Sequence, residues 1–214
     1  MERQLPDYRD HIGYPKPYDP LRSCRVVKFG VYPQGADPSN DYNPLPIEWY
    51  VLWEQDGRAL LLSKYGLEAR PFHDEKGDTS WETCSLRAWL NGEFLHRAFS
   101  EQGIARIEVS QLSTPGCADT QDRVFLQGVK AVQKYFPDDE ARQCMPTRYV
   151  LRNERNNSYR RDKPFAWWLR NAGASGERTA GVGTDGAINL EGGLACRSSH
   201  TNWVLVRPAM MVRL

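Results

Sequence analysis

Six consecutive side chains able to hydrogen-bond, Arg197, Ser198, Ser199, His200, Thr201 and Asn202, run directly into Trp203. Arginine offers a rigid fork of donors, while serine, asparagine and histidine offer adaptable donors and acceptors. An aromatic ring beside small polar groups is the chemistry of a surface that reads a glycan or a peptide. The same residues also fit a solvated loop whose Trp203 turns into the core. Cys196 precedes His200 by four positions, and Cys84 and His73 form a second conceivable pair. Either would be a nucleophile with its base only if folding brought the two into hydrogen-bond reach. No Gly-x-Ser-x-Gly, His-Glu-x-x-His or phosphate-loop motif occurs. Asp185, Asn189 and Glu191 are oxygen donors close in sequence, but Asp185-Gly186 is already explained as a turn. The expectation is therefore a non-catalytic binding domain with no metal or other cofactor.

A second constellation is basic. From Arg142 to Arg170 there are eight cations against Glu154 and Asp162, a local excess of six, with Tyr149 and Tyr159 interleaved. Arg148, Arg152, Arg155, Arg160 and Arg161 are the residues that would meet phosphates, with tyrosine stacking on bases. A solvated basic loop balanced by Asp138, Asp139 and Glu140 accounts for the same pattern.

The whole chain hides this bias. It has 214 residues, 28 Lys+Arg against 27 Asp+Glu, and 40 % apolar residues. A packed core can form without disulfides, and near-neutrality excludes a wholly basic nucleic-acid coat or an acidic disordered tail. Of the 28 cations 21 are arginine, and there are 7 Trp and 10 Tyr, a composition common on recognition surfaces and also in cores. The five cysteines are odd in number and lack a C-x-x-C pair, which fits reduced thiols. No apolar run reaches the length of a signal-peptide core or of the ~18 residues that begin to span a membrane. These features lead to the expectation of a cytoplasmic protein without a membrane span.

The elements that must position these residues are mostly strands. Residues 1–23, with four prolines, read as an extended arm, and 24–214 as one domain. Val26–Tyr32 is a strand whose Gly30 suggests a bulge or a close backbone approach. Pro46–Trp53 and Ala59–Ser63 flank Asp56-Gly57, a strong hairpin signal. Trp49 and Trp53 share parity and are expected on one side. Leu86, Trp89, Leu90, Phe94 and Ala98 fall at helical spacing, with Thr83 or Ser85 as N-cap and Asn91-Gly92 as a break. Short helices are expected at 101–104, 128–135 and 139–144, the last capped by Asp138, and strands at 107–112 and 122–126. Residues 145–163 read as loop. Phe165–Arg170 is a strand in which one of Trp167 and Trp168 is core and the other half-exposed, with Arg170 near the Trp168 ring. Thr184-Asp185-Gly186 turns a second hairpin, and Trp203–Ala209 closes the chain. Strands, then helices, then strands imply an α+β fold with a mainly antiparallel sheet.

In order along the chain stand Lys28-Phe29-Gly30-Val31-Tyr32, Pro46-Ile47-Glu48-Trp49, Leu60-Leu61-Leu62-Ser63-Lys64-Tyr65, Leu86-Arg87-Ala88-Trp89-Leu90-Asn91, Asp122-Arg123-Val124-Phe125-Leu126, Trp167-Trp168-Leu169-Arg170 and Val206-Arg207-Pro208-Ala209. Together they resemble a bacterial family known as domain of unknown function 6273, over about residues 24–214. Gln127-Gly128 replaces the family's usual Leu-Ser, and Asn171-Ala172 its Ser-Pro. The family brings no settled activity. Its C-terminal pattern resembles the C-type-lectin-like fold, shared by formylglycine-generating enzymes and the variable proteins of diversity-generating retroelements. The resemblance implies binding through C-terminal loops, with Arg170, Arg197, Ser198, Ser199, His200, Asn202 and Trp203 as ligand-binding residues for a glycan, peptide or protein. Formylglycine-generating enzymes use a C-terminal cysteine pair, whereas Cys196 stands alone in its region. Nucleic-acid binding through 142–170, and an enzyme built on Cys196 and His200, are the alternatives.

Overall fold

The computed structural model describes residues 21, 24–35, 44–75, 77–153, 163–195 and 204–214, with the backbone alone at 153 and 191–195. The strands are β1 (Val26–Tyr32), β2 (Leu45–Gln55), β3 (Arg58–Ser63), β4 (Glu68–Ala69), β5 (Ile107–Glu108), β6 (Ser110–Leu112), β7 (Thr120–Asp122), β8 (Val124–Phe125), β9 (Trp167–Ala172), β10 (Arg178–Val182), β11 (Ile188–Ala195), β12 (Leu205–Val206) and β13 (Ala209–Arg213). The helices are α1 (Ser85–Trp89), α2 (Leu95–Ala98), α3 (Glu101–Arg106), α4 (Val129–Tyr135), α5 (Asp139–Arg142) and α6 (Arg148–Asn153), with a π-helical turn at Leu90–Phe94 joining α1 to α2.

One sheet runs β1-β2-β3-β13-β5, with β8 also paired to β13; a second runs β11-β10-β9-β12-β4. Pairing is antiparallel except between β12 and β9. The α+β, mainly antiparallel expectation holds. The buried residues of both sheets and of the helices form one cluster.

The first hairpin follows its turn chemistry. Asp56 and Gly57 both have positive φ, 51° and 71°, as a type I′ turn requires. Gly30 is both a bulge and a close approach: the β1–β2 register shifts between Lys28 and Val31. Its φ is +69°, and a Cβ there would stand 2.5 Å from Phe99 Cε1.

Four expectations about strands and loops are corrected. A second bulge between Val51 and Trp53 adds one residue to β2, which reverses parity. Trp49 and Trp53 therefore face opposite sides, Trp49 fully buried and Trp53 half-buried. Trp167 and Trp168 are both fully buried, because both faces of β9 are covered. The Trp167 indole donates to Arg142 O at 2.9 Å, and Trp168 packs on Phe72 and donates to Arg70 O. Part of the loop expected at 145–163 is helix α6, where Thr147 Oγ1 accepts from Val150 N. The closing strand is two strands in two sheets, β12 and β13, separated by Arg207-Pro208. Proline cannot continue a central ladder, and the chain changes sheet there.

Arg207 fills that corner. It is fully buried, its Nε donates to Ser63 O at 2.9 Å, and its guanidinium lies over Trp167 (5.0 Å) and Phe136 (5.4 Å).

The helical motif is anchored by polar groups. The N-cap of α1 is Cys84, whose Sγ accepts from Arg87 N, rather than Thr83 or Ser85. Buried Asp122 accepts from Arg87 Nε at 2.6 Å, Trp81 Nε1 at 3.0 Å and Thr120 Oγ1 at 2.8 Å. Asn91, inside the π turn, bonds to Asp122 and to the backbone of Val124. The π turn (a local widening that re-aims side chains) is where the helix ties to β8.

Candidate functional site

Arg170 is a half-buried brace rather than an open donor. Its Nε donates to Thr114 Oγ1 at 2.9 Å and its Nη1 to Leu126 O at 3.0 Å. Burial pushes its guanidinium below the ordinary value, with Asp122 and Cys117 pulling the other way. Arg197, Ser198, Ser199, His200, Asn202 and Trp203 lie outside the described residues, as does Cys196. They belong to the connection between β11 and β12, which stand three positions apart in the second sheet.

The two departures from the family's usual wording meet beside Arg170. Gly128 begins α4 without a side-chain cap, and Asn171 Oδ1 accepts from Val129 N at 2.9 Å in its place. A Cβ on Gly128 would stand 3.0 Å from Arg170 Cζ.

The Asp185 hairpin borders a shallow pocket of about 430 Å³ lined by Gly183, Asp185, Ala187, Ile188, Asn189 and Leu190. Asp185 Oδ1 accepts from Ala187 N at 3.0 Å, so part of its carboxylate serves the turn. Among the described residues no group of three or more His, Cys, Asp and Glu is placed to hold a metal ion.

The basic stretch is divided. Arg142 bonds to Gly186 O at 2.9 Å and pairs with Asp139. Arg148 and Arg152 lie one turn apart on α6, both half-buried, with Arg152 over the ring of Tyr149 at 5.2 Å. Tyr149 is itself buried and has little face open to a base. Arg155, Arg160 and Arg161 lie outside the described residues.

His73 and Cys84 both serve the start of α1. His73 Nδ1 accepts from Ser85 N at 3.1 Å, and Cys84 Sγ lies 3.5 Å from Trp81 O.

The sequence reading missed a cluster at the end of β1. The fully buried Tyr32 donates its hydroxyl proton to Glu68 Oε2 at 2.9 Å. Arg97 lies over the Tyr32 ring at 5.1 Å and hydrogen-bonds to Tyr149. Arg70 lies over the Trp89 ring at 4.6 Å. The rings of Tyr32, Phe94 and Trp89 are in series, with centroids 5.2 Å and 5.3 Å apart. Burial pushes the Glu68 carboxyl above its usual range, against the Tyr32 hydrogen bond and the charges of Arg70 and Arg97. Burial, and then Glu68, hold the Tyr32 phenol well above its ordinary value. For Arg97, burial works against the charge, but Tyr32, Tyr149 and Glu68 outweigh it and the guanidinium sits above its ordinary value. The parts come from segments 32, 68–70, 89–97 and 149, a spacing no local motif could reveal.

No helix among the described residues is long and apolar enough to cross a membrane. No curated protein matches the chain. No solved structure matches it either. One family model does match, from Asp56 at the first hairpin turn to Leu214, and includes the Asn91–Asp122 network and Arg207. That model covers residues 56–214, well over half of the chain, and the protein belongs to the family it describes, domain of unknown function (DUF6273).

Proposed function

We propose that the chain is a non-catalytic recognition domain of C-type-lectin-like type, binding a glycan, peptide or protein through the segment that joins β11 to β12. The observation that carries this reading is the division of labour between the two sheets. β13, close to the C-terminal end, pairs with β3 in a sheet that also holds β1 and β2. The second sheet is built mainly from residues 167–206. Its β11 and β12 run parallel with β10 and β9 between them, so their connection starts at one end of the sheet and finishes at the other, as well as crossing roughly 14 Å at about 4.8 Å per strand. A rigid scaffold carrying a crossing connection rich in polar residues is a common way to present a binding surface. Arg170 acts within this reading as a brace for the scaffold. A bacterial origin, and a variable protein of a retroelement, are the special cases this reading includes; a reverse-transcriptase gene beside the coding sequence would mark the latter.

The test is a glycan and protein screen with the full chain, followed by the triple substitution Arg197→Ala, His200→Ala, Asn202→Ala. Loss of binding to the screened ligand with the fold intact is expected. Unchanged affinity overturns the assignment of the site.

A further inference from the structure

We propose that Arg70 and Arg97, held on the faces of Trp89 and Tyr32, bind an oxyanion (a sulfate, phosphate or carboxylate group) beside Glu68. The site is separate from the segment joining β11 to β12.

The arginines of this chain are used in different ways. Arg25, Arg58, Arg87, Arg142 and Arg213 each pair with a carboxylate. Arg70 and Arg97 lie on aromatic rings instead, and among the described residues neither reaches a carboxylate at ion-pair distance. A guanidinium on a ring face is oriented by the ring while its N–H edge stays available to an acceptor. Two such forks suit the geometry of an oxyanion better than single point charges do.

Glu68 is the carboxyl group whose charge both arginines feel. One of its oxygens already accepts from Tyr32. Two guanidinium groups against one carboxyl leave a local positive charge even with Glu68 ionised. Arg70 is half-buried and Arg97 exposed, so an ion can arrive from solvent. Trp89 is 8 % exposed, and among the described residues its buried Nε1 has no hydrogen-bond partner. A buried donor left without an acceptor is costly, and a bound oxyanion would supply one.

Glu68 gives the site a signature. The groups facing it are Tyr32 from β1, Arg97 from α2 and Arg70 from its own segment, with Tyr149 of α6 reaching Arg97. Glu68 is the carboxyl group among them, the first to take up a proton as the pH falls, and burial moves that protonation upward. Its protonation removes a negative charge that both arginines feel, so anion affinity rises as the pH falls.

The experiment is titration of the full chain with sulfate at constant ionic strength, between about pH 5 and pH 8, where sulfate keeps its charge. Heteronuclear NMR shifts are the readout. Saturable binding that tightens toward acid pH is expected. Arg70→Gln and Arg97→Gln should each weaken it about tenfold, the worth of a charge-assisted hydrogen bond. Glu68→Gln should tighten it several-fold at neutral pH and flatten the pH profile. Because that substitution gains affinity, the proposal stays testable even if an arginine variant fails to fold. Phosphate and acetate, titrated the same way, identify which oxyanion the site prefers. No saturable binding of any of the three, unchanged affinity in folded arginine variants, or weaker binding in Glu68→Gln each overturns the proposal. The triple substitution at Arg197, His200 and Asn202 should leave sulfate affinity unchanged. Failure of this site is thus distinguishable from failure of the recognition reading.

Discussion

Asn91 presents both ends of its carboxamide to the backbone of Val124. Its Nδ2 donates to Val124 O at 2.9 Å and its Oδ1 accepts from Val124 N at 3.1 Å. The side chain behaves as one more strand residue beside β8. Its Oδ1 also accepts from Arg123 N at 2.8 Å, and its Nδ2 reaches Asp122 Oδ1 at 3.3 Å. This relationship explains why Leu-Asn in the helix and Asp-x-Val-Phe in the strand occur in one chain.

Asn91→Leu should therefore lower the unfolding free energy by about 3 kcal/mol, since several backbone groups lose their partner together. Asn91→Asp should cost at least as much, because a carboxylate would face Val124 O and Asp122. Urea denaturation checks both; a loss under about 1 kcal/mol would show that water replaces the side chain without penalty.

The cap of α4 comes from a distant residue. Asn171→Ala removes the acceptor at Val129 N and should cost about 1 kcal/mol, the usual worth of an N-cap. Gly128→Ser is the obvious local replacement, but its Cβ would crowd Arg170 at 3.0 Å. The serine should rescue Asn171→Ala only when Arg170 is shortened as well, for example in Arg170→Ala. A double-mutant cycle measures this coupling. Simple additivity would contradict it.

Arg207 is a fully buried cation over two rings, and among the described residues its Nη1 and Nη2 find no hydrogen-bond partner. Such a group fills space well but is poorly compensated for leaving water. Arg207→Met should change stability by less than about 1.5 kcal/mol, since the volume is kept and the buried charge removed. Arg207→Ala should cost about 3 kcal/mol or more through the cavity left between Trp167 and Phe136. Equal, large losses in thermal or urea unfolding would mean that the guanidinium itself stabilises the corner.

Local chemistry carried much of the fold in readable form. The Asp56-Gly57 turn, the Gly30 bulge, the Asp138 cap and the helical face from Leu86 to Ala98 each rest on a residue's own conformational preference or on a short period. Asp138 Oδ1 does accept from Ala141 N at 2.8 Å. The errors share one cause. One extra residue at Leu52 reverses a parity, and the covering of the second face of β9 buries a second tryptophan. Both depend on what packs against the strand. The Arg-rich, Trp-rich composition was legible, but its use was not: Arg70, Arg97, Arg106, Arg152 and Arg207 all lie on rings inside or beside the core.

The sequence by itself determined where the chain turns, which runs are apolar, and that the family's phrases occur in order. Those properties reside in single residues or in neighbours a few positions apart. The tertiary structure alone decided that Arg207-Pro208 is a passage between sheets and that Arg170 is a brace. It alone joined Tyr32 to Glu68 and laid Arg97 on the Tyr32 ring and Arg70 on the Trp89 ring. A charged side chain's role depends on its solvation and on the groups opposite it, and both are set by long-range packing that no local pattern encodes.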